Sequence, residues 1–134
     1  MKIAITGHTS GIGEALLKEY SAKGHIVIGL SRTNGYNIKN TKNIVSIIEP
    51  CDMFINNAQQ GFAQTELLYE IFRRWLGKPK QIVVIGTQMT LMPKPTFNVM
   101  DMIPYYVQKQ ALETMACQLR QLDRKSTRLN SSHL

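Results

Sequence analysis

Apolar residues fall into short runs separated by polar, glycine-containing breaks, and the runs alternate between strand-like and helix-like spacing. Residues 2–6, Lys-Ile-Ala-Ile-Thr, form a β-branched apolar run of strand length. Gly7, Thr9, Ser10, Gly11 and Gly13 follow at once, and then the helix-forming Glu14-Ala-Leu-Leu-Lys-Glu-Tyr20. Gly24 is a helix stop, and residues 25–30 read as a second buried strand, which completes one β-α-β unit by residue 31. Residues 33–43, rich in Asn, Gly and Lys, read as a loop with a vestigial strand at 36–38.

Ile44, Ile47 and Ile48 stand at helical spacing before Pro50, and residues 52–56 predict another buried strand. Leu68, Ile71, Phe72, Trp75 and Leu76 make an apolar stripe on a helix predicted over 64–76, with Gly77 and Pro79 as stops. Residues 81–85 are the next strand. An irregular loop is expected over 87–103, where prolines and methionines cluster. Asp101 and Pro104 announce a last helix whose buried face is predicted as Ala111, Leu112, Met115, Leu119 and Leu122. Strands alternating with helices predict an α/β fold with a parallel, doubly wound sheet.

A hydrophobic content of 43% in 134 residues suits one small domain with a single core and leaves no room for a second catalytic domain. No apolar run approaches the roughly 20 residues of a membrane span, and the first residues pass into a glycine turn rather than a signal-peptide core. A cytoplasmic protein with no membrane partner is expected. Cys51 and Cys117 lack metal-ligand spacing and are expected as buried or half-buried apolar residues, so no metal site is expected. The net charge of +7 comes from scattered Lys and Arg, which argues for solvated faces and a phosphorylated ligand over nucleic acid.

Residues 123–133, DRKSTRLNSSH, have no apolar period or turn logic and resemble the conceptual translation of a sequencing-library adapter. That resemblance implies a domain of residues 1–122, a non-native tail over 123–134, and a native protein that continues past about Leu122.

The segment Thr6-Gly-His-Thr-Ser-Gly-Ile-Gly13 places three glycines where a strand turns into a helix. Such a turn lets the backbone approach a pyrophosphate without Cβ atoms in the way, and the helix N-terminus offers free N–H groups. A plain tight β-α turn would also use glycine. Two further segments stand beside it in order: Asn56-Asn57-Ala58-Gln59 at the end of a strand, and Tyr105 with Lys109 on the last helix.

Together these resemble the T-G-x-x-x-G-x-G, N-N-A-G and Y-x-x-x-K motifs of the short-chain dehydrogenase/reductase family over essentially all of residues 1–122. The resemblance implies a Rossmann-like sheet, incomplete here because the family's C-terminal strands are missing. It implies an oxidoreductase that moves hydride between a nicotinamide cofactor and an alcohol or carbonyl. Gly7, Thr9, Ser10, Gly11, Ile12, Gly13, Asn57 and Ala58 would hold the cofactor, with Asn37 at its adenine edge and Tyr105 and Lys109 at its nicotinamide end.

Tyr105 is the implied proton donor or acceptor, and Lys109, four residues on, shares its helix face. A neighbouring ammonium favours a phenolate over a phenol. Thr87 stands for the family's serine, with Thr90 as a rival. Ser31 and Arg32 end the second strand with no acid nearby, and an Arg fork matches a 2′-phosphate, so NADP(H) is expected over NAD(H). A homodimer or homotetramer of the full-length protein is implied, with the Tyr105 and Trp75 helices as interfaces. Gln59 departs from the motif's last glycine, and the helix over 64–76 contains no asparagine for the family's proton relay. These departures keep open a second reading, an NADP(H)-binding or sensing module without turnover.

Overall fold

The computed structural model describes residues 1–91, 100, 102–122 and 126–133. Five strands, β1 (Lys2–Thr6), β2 (Ile26–Leu30), β3 (Met53–Asn56), β4 (Gln81–Gly86) and β5 (Arg128–His133), form one parallel sheet in the order β2-β1-β3-β4-β5. Helices α1 (Gly11–Ala22), α2 (Thr41–Ile48), α3 (Ala63–Trp75) and α4 (Met102–Arg120) connect them.

Side chains alternate across the sheet, so both faces are apolar and both need cover. Ile3, Ile5, Met53, Ile55 and Ile85 face one way, where Leu16, Leu17 and Tyr20 of α1 pack on them. Ala4, Leu30, Phe54, Ile82 and Val84 face the other way, against α2, α3 and α4. The fold is therefore α/β, with helices on both faces of a Rossmann-like parallel sheet. No described helix is long and apolar enough to cross a membrane.

Several details differ from the pattern reading. No strand forms at 36–38: after β2 the chain makes a 3-10 turn at Arg32–Asn34, and Tyr36 N donates to Ser31 O (2.8 Å). Ile38 is buried as a loop anchor, which leaves β2 at the sheet edge among the described residues. On α4 the buried residues are Lys109, Leu112, Ala116 and Leu119, while Leu122 lies past the helix end at 70% exposure. Pairing with α3 rotates the buried face toward Lys109. Leu76 is likewise exposed, because the helix stops at Trp75. Cys117 is exposed rather than half-buried, and Cys51 is buried, its thiol pushed up by desolvation. Most of the proline- and methionine-rich segment at 91–102, with Pro93, Pro95 and Asp101, lies outside the described residues.

Part of the adapter-like segment is structured, since Arg128–His133 pair in parallel with all of β4. Leu129 enters the core, and buried Thr127 donates from Oγ1 to Trp75 O (2.6 Å). An edge strand is held mainly by backbone hydrogen bonds and needs only one apolar anchor, so its polar sequence conceals it.

Candidate functional site

All five strands point their C-terminal ends to one edge of the sheet, and the chain order reverses between β1 and β3. In open α/β sheets the crevice at such a reversal is where ligands bind. A cleft of about 450 Å³ lies there, lined by the segments that follow β1, β2 and β3.

The turn after β1 is shaped by backbone constraints. Gly7 has φ +73°, a left-handed conformation, and its N–H donates to Leu30 O (2.8 Å). A Cβ on Gly13 would lie 1.9 Å from the Gly7 carbonyl oxygen, so α1 approaches the turn as only glycine allows. Thr6 Oγ1, fully buried, accepts from Asn57 N (3.1 Å) and Ala58 N (3.2 Å), while Asn57 Nδ2 donates to Gly7 O (3.0 Å). The Thr-Gly and Asn-Asn-Ala segments thus brace each other across two adjacent strands.

Ser10 is the N-cap of α1, yet its side chain makes no capping hydrogen bond. The first-turn N–H groups of α1 therefore lack that partner, and with the helix dipole they suit an anion. A glycine turn with no room for a Cβ at Gly13 and little at Gly7, beside an uncapped helix start, fits the pyrophosphate of a dinucleotide.

At the end of β2, Ser31 N donates to Asn34 Oδ1 (2.9 Å) and Asn34 Nδ2 donates to Gly29 O (2.8 Å), which pins the turn carrying Arg32. Arg32 is exposed on the cleft wall, forms no ion pair among the described residues, and is the only charged residue in the lining. Gly29 has its own reason: a Cβ there would meet the His8 ring at 2.3 Å.

Of the residues expected at the cofactor, Gly7, Thr9, Ser10, Ile12, Ser31, Arg32, Asn57 and Ala58 line the cleft. Gly11 and Gly13 shape the start of α1 behind it. Asn37 does not line it; its Oδ1 accepts from Lys39 N (2.9 Å) in a local turn. Tyr36, Ile38, Gln59 and Gln60 line the cleft without having been expected to. Two of these follow from the loop folding back over β2, which no local pattern records.

Thr87, Tyr105 and Lys109 lie outside the cleft lining, toward β4 and α4. Thr87 is buried directly after β4, and its carbonyl accepts from Thr90 Oγ1 (2.8 Å), which ties down the rival hydroxyl. Lys109 Nζ stands 5.9 Å from the centroid of the Tyr105 ring. The Lys109 side chain is only 4% exposed, and burial lowers its pKa to about 8, against the opposing charge of Glu113. Its Nζ donates to Gln64 Oε1 (2.8 Å) and Ile85 O (3.4 Å). Gln59 Nε2 donates to Gln108 Oε1, so the residue that replaces the motif's last glycine links the cleft to the Tyr105 helix.

Comparison with solved structures decides the fold. A 4-hydroxyisoleucine dehydrogenase complexed with NADH matches with a TM-score of 0.73 at 22% identity, over 97% of this chain and 73% of that one. The chain has the fold of the short-chain dehydrogenases/reductases. A short-chain dehydrogenase/reductase from Vibrio parahaemolyticus matches with a TM-score of 0.76 at 17% identity, over 98% and 77%. A short-chain dehydrogenase from Burkholderia cenocepacia J2315 in complex with NADP matches at 0.75 and 15% identity, over 97% and 70%. No family model and no curated protein sequence matches.

Proposed function

We propose that this chain binds NADP(H) in the cleft and serves as an oxidoreductase acting on a small alcohol or carbonyl. The observation that carries this reading is the uncapped start of α1 facing the Gly7–Gly13 cradle, at the point where strand order reverses. Backbone N–H groups of α1, with Thr9 and Ser10, take the pyrophosphate; Tyr36 and Ile38, beside Asn37, flank the adenosine. The related folds carry NADH in one case and NADP in another, so the choice rests on this chain's own residues. Arg32, with Ser31 beside it and no carboxylate among the described lining residues, favours the 2′-phosphate.

Bound there, the cofactor supplies or accepts a hydride. Tyr105 exchanges a proton with the substrate oxygen, Thr87 donates a hydrogen bond to that oxygen, and Lys109 places positive charge beside the Tyr105 ring. The test is NADPH-dependent reduction across a carbonyl panel, with Tyr105→Phe expected to lower kcat by about 100-fold or more. An unchanged rate in Tyr105→Phe would sink the mechanism.

One observation favours binding without turnover: Lys109 Nζ is drawn down to Gln64 and Ile85 O and does not line the cleft. Tight NADPH binding with no activity on any carbonyl would put that reading first. Residues 123–134 we take, on their adapter-like sequence, as a non-native ending; sequencing the source template past the codon for Leu122 tests this.

A further inference from the structure

The ends of β3 and β4 hold a buried polar group that no motif marks. Gln64, in the first turn of α3, is 2% exposed. Its Nε2 donates to Asn56 O (2.9 Å) at the end of β3 and to Ile85 O (3.2 Å) near the end of β4. Its own backbone carbonyl accepts from Asn56 Nδ2 (3.1 Å). Two strand-end carbonyls thereby fix which way the carboxamide lies, and its Oε1 faces Lys109 Nζ at 2.8 Å. A buried ammonium is tolerable only where acceptors are supplied to it, and those supplied here are Gln64 Oε1 and Ile85 O.

We propose that Gln64 is a positioning residue, which seats the Lys109 ammonium at the ends of β3 and β4 by a direct hydrogen bond and so sets its distance from Tyr105. The proposal rests on the role given to Lys109 in the proposed function. Among the described residues Nζ donates to Gln64 and Ile85, and an ammonium carries three protons to give. The neutral carboxamide matters as much as its position: it accepts the proton without pairing off the charge, as a carboxylate would. Two titratable side chains of α4 face this ammonium among the described residues: Glu113, one turn along, and Tyr105, whose ring centroid is 5.9 Å away.

The test follows the titration of Lys109 itself, by ¹³Cε and ¹⁵Nζ NMR of lysine-labelled full-length chain, with the signal assigned through Lys109→Met. Gln64→Glu puts a carboxylate against Nζ and should raise the midpoint by about one pH unit or more. Gln64→Met keeps the volume but removes the acceptor, and should lower the midpoint. Amide spectra confirm that each variant is folded; if Gln64→Glu does not fold, Gln64→Met decides alone. Midpoints unmoved in folded variants overturn the proposal. In the NADPH assay, the pH limb of kcat should move with the NMR midpoint. A moved midpoint in a chain that reduces no carbonyl supports Gln64's hold on Lys109 and removes only the oxidoreductase reading.

Discussion

Two single residues carry measurable charge effects, Arg32 in the cleft lining and Lys109 outside it. Among the described residues Arg32 is the only charged one in the lining, and an Arg–phosphate hydrogen bond contributes about 1.5–3 kcal/mol. Arg32→Ala should therefore raise the NADPH dissociation constant ten- to a hundredfold, on that order, and barely change that for NADH. Equal losses for both cofactors, measured by titration calorimetry, would remove the 2′-phosphate assignment.

Lys109 acts on stability. Its folded pKa of about 8 lies below the ordinary 10.5, so below pH 8 both folded and unfolded chains carry the proton. Between about pH 8 and 10.5 only the unfolded chain still carries it, and stability rises with pH by up to about 1.4 kcal/mol per unit. Urea unfolding across this window should show the rise in the native chain, and Lys109→Met should lack it.

At the scale of elements, the site depends on how closely α1 meets β1 and the segment after β3. The ideal Cβ of Gly13→Ala would sit 1.9 Å from a backbone oxygen and 2.8 Å from Asn57 Nδ2. The nearer atom belongs to the backbone and cannot swing aside, so α1 must shift. Overpacking of this kind costs about 1–3 kcal/mol and should also weaken NADPH binding, because the phosphate-facing N–H groups move with the helix. A Gly13→Ala chain with native thermal midpoint and native affinity would show that the close approach is not needed. The Tyr105–Lys109 spacing illustrates a related limit on reading elements alone. The four-residue spacing puts both on one helix face, and the apolar pattern finds Leu112 and Leu119 of the buried stripe but offers Ala111, Met115 and Leu122 where the structure buries Lys109 and Ala116.

At the scale of the whole molecule, the sheet is closed on one side by a strand that looks like a tail. Removing residues 123–134 strips β4 of its outer partner, uncovers core around Leu129 and leaves Trp75 O without the Thr127 hydroxyl. The 1–122 chain should melt several degrees below the 1–134 chain in calorimetry. Equal midpoints would mean that β5 adds nothing to the domain.

The alternation of apolar runs, with glycine between the first strand and helix, sufficed for the α/β class and the strand-helix order, while eight residues that line the cleft were named by the family resemblance and by the end of β2. Those features are local: periodicity reports burial, and a glycine turn constrains its own backbone. Long-range contacts decided the rest. Tyr36 and Ile38 reach the cleft because a loop folds over β2, and Gln64 meets Lys109 45 residues away because α3 packs on α4. Arg128–His133 become a strand only because β4 offers unpaired backbone groups in register. Hydrogen bonds made across such separations leave no period in the sequence, so the floor of the site became visible only once the sheet had brought its strand ends together.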